Sequence, residues 1–255
     1  MKKIIAVTLC FFLFISSKAQ ENAIKVVYNK LHESIWVPEV LIANQSKAIS
    51  NVEKTTNKNS TSMSIDENDD GTIKIINSTS VNEEKYHKSI NDSVQLIQDV
   101  LNNKKIFYDD TIKNMNWALD PIQTKKIGSY LCHKATLEFR GTSWTAWFCM
   151  DLPIPFGPWK FKGLPGVILE ISDDQYKENT WVATNVVYPY VGGTSILEKK
   201  DNITSKIKHK EFVKNKEEEA SKFAEIIRSR APKGAMLSDM TIERKGPEKK
   251  YDWEK

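Results

Sequence analysis

Residues 151–171 read DLPIPFGPWKFKGLPGVILEI, and this stretch restricts the fold more than any composition figure does. Four prolines and three glycines stand among large apolar side chains. A helix interior does not hold this spacing, because proline removes a donor and clashes with the preceding turn. A central strand would lose a ladder donor at each proline. What is left is an extended, turning segment in which Trp159 and Phe161 cover apolar surface. Gly163 and Gly166 permit a tight or close-packed turn around Leu164-Pro165. The chain then runs straight into a strand at Val167–Ile171.

Most of the remaining chain consists of short alternating or β-branched runs separated by polar turns, which predicts a mainly β (α+β) domain. Strands are expected at Ala23–Tyr28, Ile35–Ala43, Thr72–Ile76, Ser93–Val100, Lys105–Tyr108, Met115–Leu119, Val167–Ile171 and Thr180–Val187. Pro38 marks the second of these as an edge strand or a strand start. Residues 44–70, rich in Asn, Ser, Lys and Thr, read as a long solvated loop or weak hairpin.

The best hairpin joins Tyr130–Phe139 to Ser143–Met150. Alternation sets Leu131, His133, Ala135, Leu137 and Phe139 on one face, with Trp144, Ala146, Phe148 and Met150 able to share it. If Arg140-Gly141 is a two-residue turn, Leu137 stands opposite Trp144 and Cys132 opposite Cys149. A four-residue loop at 140–143 would slide the register by two and make the cysteines diagonal. Only the first register suits a disulfide; the alternative is two reduced, half-buried thiols. From Lys208 to Ala231 the period changes. Phe212, Lys216, Ala220, Phe223, Ala224 and Ile227 fall on one helical stripe, ended by Pro232 and Gly234. The whole is expected to be a curved antiparallel sheet or open half-barrel with one C-terminal amphipathic helix, followed by a charged tail at 236–255 whose end, Arg244–Lys255, is loosely held.

The chain opens Met1-Lys2-Lys3, continues with an apolar run from Ile4 to Ile15, and reaches Ser17 and Ala19 at the −3 and −1 positions of a signal-peptidase site. Residues 1–19 therefore read as a cleavable signal peptide. The run is too short for a membrane-spanning helix, and Leu9 before Cys10 does not suit a lipoprotein signal. No later segment is apolar enough to span, so no transmembrane segment is expected after cleavage. With the leader go Lys2, Lys3 and Lys18, so 37 basic residues fall to 34 against 33 acidic ones. That near balance argues against nucleic acid as a partner. Residues 20–235 are long enough for one substantial core, in a protein located in the periplasm or cell envelope, or secreted.

The run Gly163-Leu164-Pro165-Gly166-Val167-Ile168, preceded by Gly157-Pro158-Trp159-Lys160-Phe161, resembles the GLPGLI family of Bacteroidota envelope proteins. Val167 stands where the family name has its second leucine. The stretch Gly128–Thr136 and the hairpin with Arg140-Gly141 and Ala146-Trp147-Phe148 are similar to that family too. The resemblance implies an exported protein of unknown biochemical role and supplies no reaction.

Three constellations bear on chemistry. Asp66, Asn68 and Asp70 match the first half of a calcium loop, but Asn77 stands where a bidentate glutamate belongs; an acidic turn at Asp70-Gly71 is the plainer reading. Cys132-His133 and Cys149-Met150 offer soft ligands for copper, yet neighbours on a strand point to opposite faces. Asp109-Asp110 and Asp173-Asp174 read as turn carboxylates. No nucleophile has an evident base, and no cofactor is expected. The leading functional expectation is a non-catalytic envelope protein that binds an apolar small molecule or a partner protein through the segment around Trp159 and Phe161. The alternatives are an exported hydrolase-type enzyme and a structural component of an envelope assembly.

Overall fold

A computed structural model describes residues 22–32, 35–57, 63–67, 73–77, 79–175, 177–199, 203, 205–230, 244 and 246–254. The signal-peptide reading at 1–19 lies outside them, as do Asn68 and Asp70. Asp66 sits on a strand, paired with Lys74.

The strands in chain order are β1 (Ala23–His32), β2 (Ile35–Ala43), β3 (Lys47–Val52), β4 (Thr55–Asn57), β5 (Met63–Glu67), β6 (Ile73–Asn77), β7 (Thr79–Val81) and β8 (Glu84–Ser89). They continue with β9 (Val94–Leu101), β10 (Lys104–Thr111), β11 (Ala118–Ile127), β12 (Tyr130–Phe139), β13 (Thr142–Cys149), β14 (Val167–Asp173), β15 (Thr180–Tyr190) and β16 (Ile207–Lys208). A short helix α1 (Gly193–Glu198) and a long one, α2 (His209–Arg230), complete the order.

Twelve strands form one large sheet, in the order β11-β12-β13-β14-β15-β1-β2-β3-β8-β9-β10-β16. All its pairings are antiparallel except β10 with β16. The protein is mainly β, and the sheet is open: its two ends are not paired with each other. It is also bent. Seven strands separate β13 from β10, so a flat sheet would set them about 38 Å apart. Yet Arg140, at the β12–β13 turn, holds Asp110 of β10 at 2.6 Å. One apolar cluster, with Tyr28, Leu41, Ile97, Trp144, Phe161 and Trp181 among its members, fills the concave side.

The β12–β13 register is the one expected for a two-residue turn: Leu137 faces Trp144 and Ala135 faces Ala146. Cys132 and Cys149 are nonetheless free, buried thiols. The ladder ends at His133–Phe148, and Cys149 pairs instead with Val167 of β14. Burial pushes the Cys132 thiol up to about 12, and the Cys149 thiol upward as well. Leu131 and Met150 face solvent, contrary to the alternation expected for the hairpin.

Three other expectations are corrected. β2 is not an edge strand but lies between β1 and β3. Its pairing with β3 runs only from Glu39 to Ala43, so Pro38 sits just beyond that ladder, where no donor is needed. The segment read as a solvated loop from 44 contains β3, whose Ala48, Ser50 and Val52 alternate inward. The described part of the tail is not loose: residues 246–254 are docked against the hairpin turn. On α2, Phe212 and Ala224 are buried as expected and Val213 joins them, while Ala220 is exposed.

An ion pair between β1 and β8 sets an acid limit. Lys30 Nζ lies 3.1 Å from Glu84 Oε2, which also accepts the Tyr86 hydroxyl at 2.7 Å. Burial alone would raise the Glu84 carboxyl, but Lys30 and Tyr86 outweigh it and bring it from 4.5 to about 2. Below pH 4.5 the unfolded chain takes up this proton first. The stabilisation is therefore complete above pH 4.5 and is lost as pH falls through about 2. Denaturant melts of the native protein and Glu84→Gln should differ by about 3 kcal/mol near neutral pH and converge near pH 2. A constant difference would refute the assignment.

Candidate functional site

The segment that leaves β13 does not line an open groove; it fills the concave side of the sheet. Phe156, Gly157, Pro158, Trp159, Lys160, Phe161, Leu164 and Gly166 are buried, while Gly163 and Pro165 reach the surface. The loop closes on itself through Gly157 N to Phe161 O, Phe161 N to Pro158 O and Gly163 N to Pro155 O, at 2.9–3.1 Å. Gly163 has φ +100°, as its place in the turn requires. The Trp159 ring is stacked 6.1 Å from Trp181 and packs against Trp144 and Phe161. These aromatics, expected to meet a ligand, are core.

The sheet grips the loop by its main chain, using polar side chains that point inward. Glu39 accepts Trp159 N at 2.5 Å and the Trp181 indole N–H at 2.7 Å. Lys88 donates to Gly157 O at 2.5 Å, Trp159 O at 2.8 Å and Ser50 Oγ at 3.0 Å. Gln95 donates to Lys160 O at 3.0 Å, and Lys162 donates to Ser89 O at 2.6 Å and to Asp92 O. Burial pulls the Lys88 ammonium down to about 7, against the pull of Glu39.

One side chain of the loop leads elsewhere. Lys160 reaches a closed ionic cluster built from four parts of the chain. Arg140 makes a bidentate pair with Asp110, Nη2 to Oδ1 at 2.6 Å and Nη1 to Oδ2 at 2.9 Å. Lys160 Nζ lies 2.8 Å from Asp110 Oδ2 and 2.8 Å from Glu248 Oε2. Arg140 Nη1 also donates to Glu248. His209, at the start of α2, places Nδ1 3.2 Å from Asp110 Oδ1. Burial would raise the Asp110 carboxyl, but Lys160, the His209 hydrogen bond and Arg140 hold it well below the usual carboxylate range. Tyr108 stacks on His209 at 4.8 Å, and the parallel rings of Tyr251 and Trp253 meet it edge-on. Two cations meet two carboxylates here, largely out of water, and a third, Asp252, stands at the exposed rim 3.6 Å from Arg140 Nη2.

Of the Gly157–Gly166 motif residues, only Lys160 enters this cluster. From sequence Asp110 reads as a turn carboxylate and Glu248 as part of a loose tail, and nothing marks His209. The readable signal was parity: Asp110 alternates with the buried Tyr108 and so points inward. His133, proposed beside the cysteines, lies 6.0 Å from Phe148 in a tilted ring contact, and Met150 faces solvent, so no soft-ligand set converges there. Among the described residues no group of three or more His, Cys, Asp or Glu is placed to hold a metal ion.

The fold thus defines a class: an open, mainly antiparallel β protein whose concave side is filled by its own Pro/Gly loop. Residues 138–170, which run from the end of β12 through β13 and that loop into β14, match a family model described as "Protein of unknown function (Porph_ging)". No curated protein matches the chain. Structures of PNGF-II in two crystal forms share the fold, with TM-scores of 0.52 and 0.50 at 15% identity, over 76% of this chain. The match covers 33% and 32% of the PNGF-II chains, so this chain spans about a third of their length.

Proposed function

We propose that this is an exported cell-envelope protein of the GLPGLI type, without catalytic activity of its own, that binds a partner protein at the free edge of its sheet. The observation that carries the reading is the contrast between inside and edge. The concave side, where an apolar small molecule would lodge in an open half-barrel, is occupied by the loop around Trp159 and Phe161. One end of the sheet is covered by β16 and α2, whereas β11 at the other end pairs only with β12. That edge carries Leu119 and Ile122, the latter 85% exposed, and further along it the exposed Leu131 of β12 pairs with Lys126. Asp120 accepts the N–H groups of Ile122 and Gln123 at 2.9 Å, which fixes a bulge and presents Ile122 at its crest. Pro121 and the bulge blunt strand addition, so contact through apolar side chains is favoured over β-augmentation. Exposed apolar side chains along a free sheet edge suit a protein interface.

The test is photo-crosslinking in the source cells from position 122, with position 138 on the same hairpin as control. A discrete partner adduct in the envelope fraction is expected from 122 alone, and it should disappear in a Leu119→Lys background. Recovery of the protein in the cytoplasm, or equal adducts from both positions, would sink the reading.

A further inference from the structure

We infer that Arg140 and Lys160 form a binding site for the carboxylate of an acidic, aromatic-bearing peptide segment, that the His209 ring seats its aromatic side chains, and that Glu248 of the chain's own tail occupies it. This concerns a different part of the molecule from the β11 edge and does not depend on the reading above.

The receiving half is assembled without the tail. Asp110 fixes Arg140 through two hydrogen bonds, holds Lys160 at 2.8 Å and orients His209 through Nδ1. Gln95 anchors the Lys160 main chain. Tyr108 backs the His209 ring. None of these contacts uses residues 244–254. With Glu248 absent, two cations would share one buried carboxylate, with only the largely exposed Asp252 nearby, 3.6 Å from Arg140 Nη2. That leaves one positive charge in a site where burying an unpaired ion costs several kcal/mol. A monoanion with two oxygens restores the balance, and a guanidinium beside an ammonium suits a carboxylate.

The occupant enters as a unit. Glu248 brings the acid, and Tyr251 and Trp253, three and five residues later, bring stacked rings that close on His209. Main-chain donors at Lys249 and Lys250 share the Arg140 carbonyl at 2.9 Å, and Thr142 Oγ1 donates to Pro247 O at 3.1 Å. This is how a peptide lies on a receptor: a charged anchor, flanking rings and main-chain bonds. The site is also not fully satisfied by its present occupant. Arg140 Nε and His209 Nε2 are buried without a hydrogen-bond partner.

The experiment uses the full chain carrying Glu248→Ala, with Glu248→Gln as the milder variant should the first not fold. Thermal melting is followed against sodium propionate, with sodium chloride at matched ionic strength. Both variants should melt below the native protein. Propionate at about ten times its Kd should raise their Tm by about 3–6 °C beyond chloride, with no such gain in the native protein. A synthetic peptide of residues 244–255 should bind the Glu248→Ala chain at least about tenfold more tightly than the same peptide with Gln in place of Glu248, a difference of one charge-assisted bond. Equal responses to propionate and chloride, together with equal binding of the two peptides, would overturn the inference.

Discussion

Gly166→Ala is expected to abolish the fold. A Cβ at this position would lie 1.9 Å from the carbonyl oxygen of Cys149 and 2.5 Å from its carbon. Both are backbone atoms at the end of β13, so no side-chain rotation relieves the overlap. The strand that follows is fixed by Val167 N to Leu152 O at 3.0 Å and by the pairing of Val167 with Cys149. To admit one methyl group, β13 and β14 must separate where they start to pair. The cost should exceed about 4 kcal/mol, against total stabilities of about 5–15 kcal/mol for natural domains. The outcome should be loss of soluble, cooperatively melting protein. Two neighbours serve as controls. Pro165→Ala, at the surface, should be close to neutral. Gly163→Ala should cost about 1–3 kcal/mol for a left-handed backbone, because nothing lies nearer than 3.9 Å to its would-be Cβ. A soluble Gly166→Ala protein with native-like melting would show that the segment does not approach β13 as described.

What could be read from the sequence was local. The two-residue turn at Arg140-Gly141 fixes the β12–β13 register, because alternation on both sides of a tight turn leaves one consistent pairing. The proline and glycine content of 151–166 marks a segment outside helix and sheet, and that is what it is. What could not be read depended on partners far along the chain. β3 looked like loop because Asn44, Ser46, Lys47, Ser50 and Asn51 are polar; Ser50 is nevertheless buried, held by Lys88, which is 38 residues away. Composition cannot show that the sheet bends until the β12–β13 turn meets β10, so the pairing of Arg140 with Asp110, and of Lys160 with a tail residue 88 positions on, has no local trace. One signal was available. Glu39 alternates with Val37 and Leu41, Lys88 with Tyr86, and Asp110 with Tyr108. A charge on the inward parity of a strand either ends the strand or has a buried partner, and here all three have one.

The second large effect follows from that inward parity. Lys88→Met is expected to cost about 3–5 kcal/mol and to loosen the loop rather than the sheet. The ammonium supplies three donors, and three oxygens receive them: Gly157 O, Trp159 O and Ser50 Oγ. Methionine fills similar space but leaves all three unpaired in the interior. It also removes a charge that acts on the buried Glu39 carboxylate, which holds Trp159 N and the Trp181 indole. Arginine should not rescue, since its planar fork is larger than the ammonium and its donors point in fixed directions. Hydrogen exchange should show the defect at Gly157–Phe161 first, with β12 and β13 still protected. The pH dependence is the sharper measurement. Burial lowers Lys88 from 10.5 to about 7 in the folded protein, so between those values the unfolded chain holds a proton that the folded chain has released. Stability then rises with pH across this window, by up to about 1.4 kcal/mol per pH unit. The gap between native protein and Lys88→Met should therefore widen from pH 7 towards pH 10. A gap that stays flat would mean that the three oxygens and Glu39 keep the ammonium charged, with its folded pKa near the unfolded one.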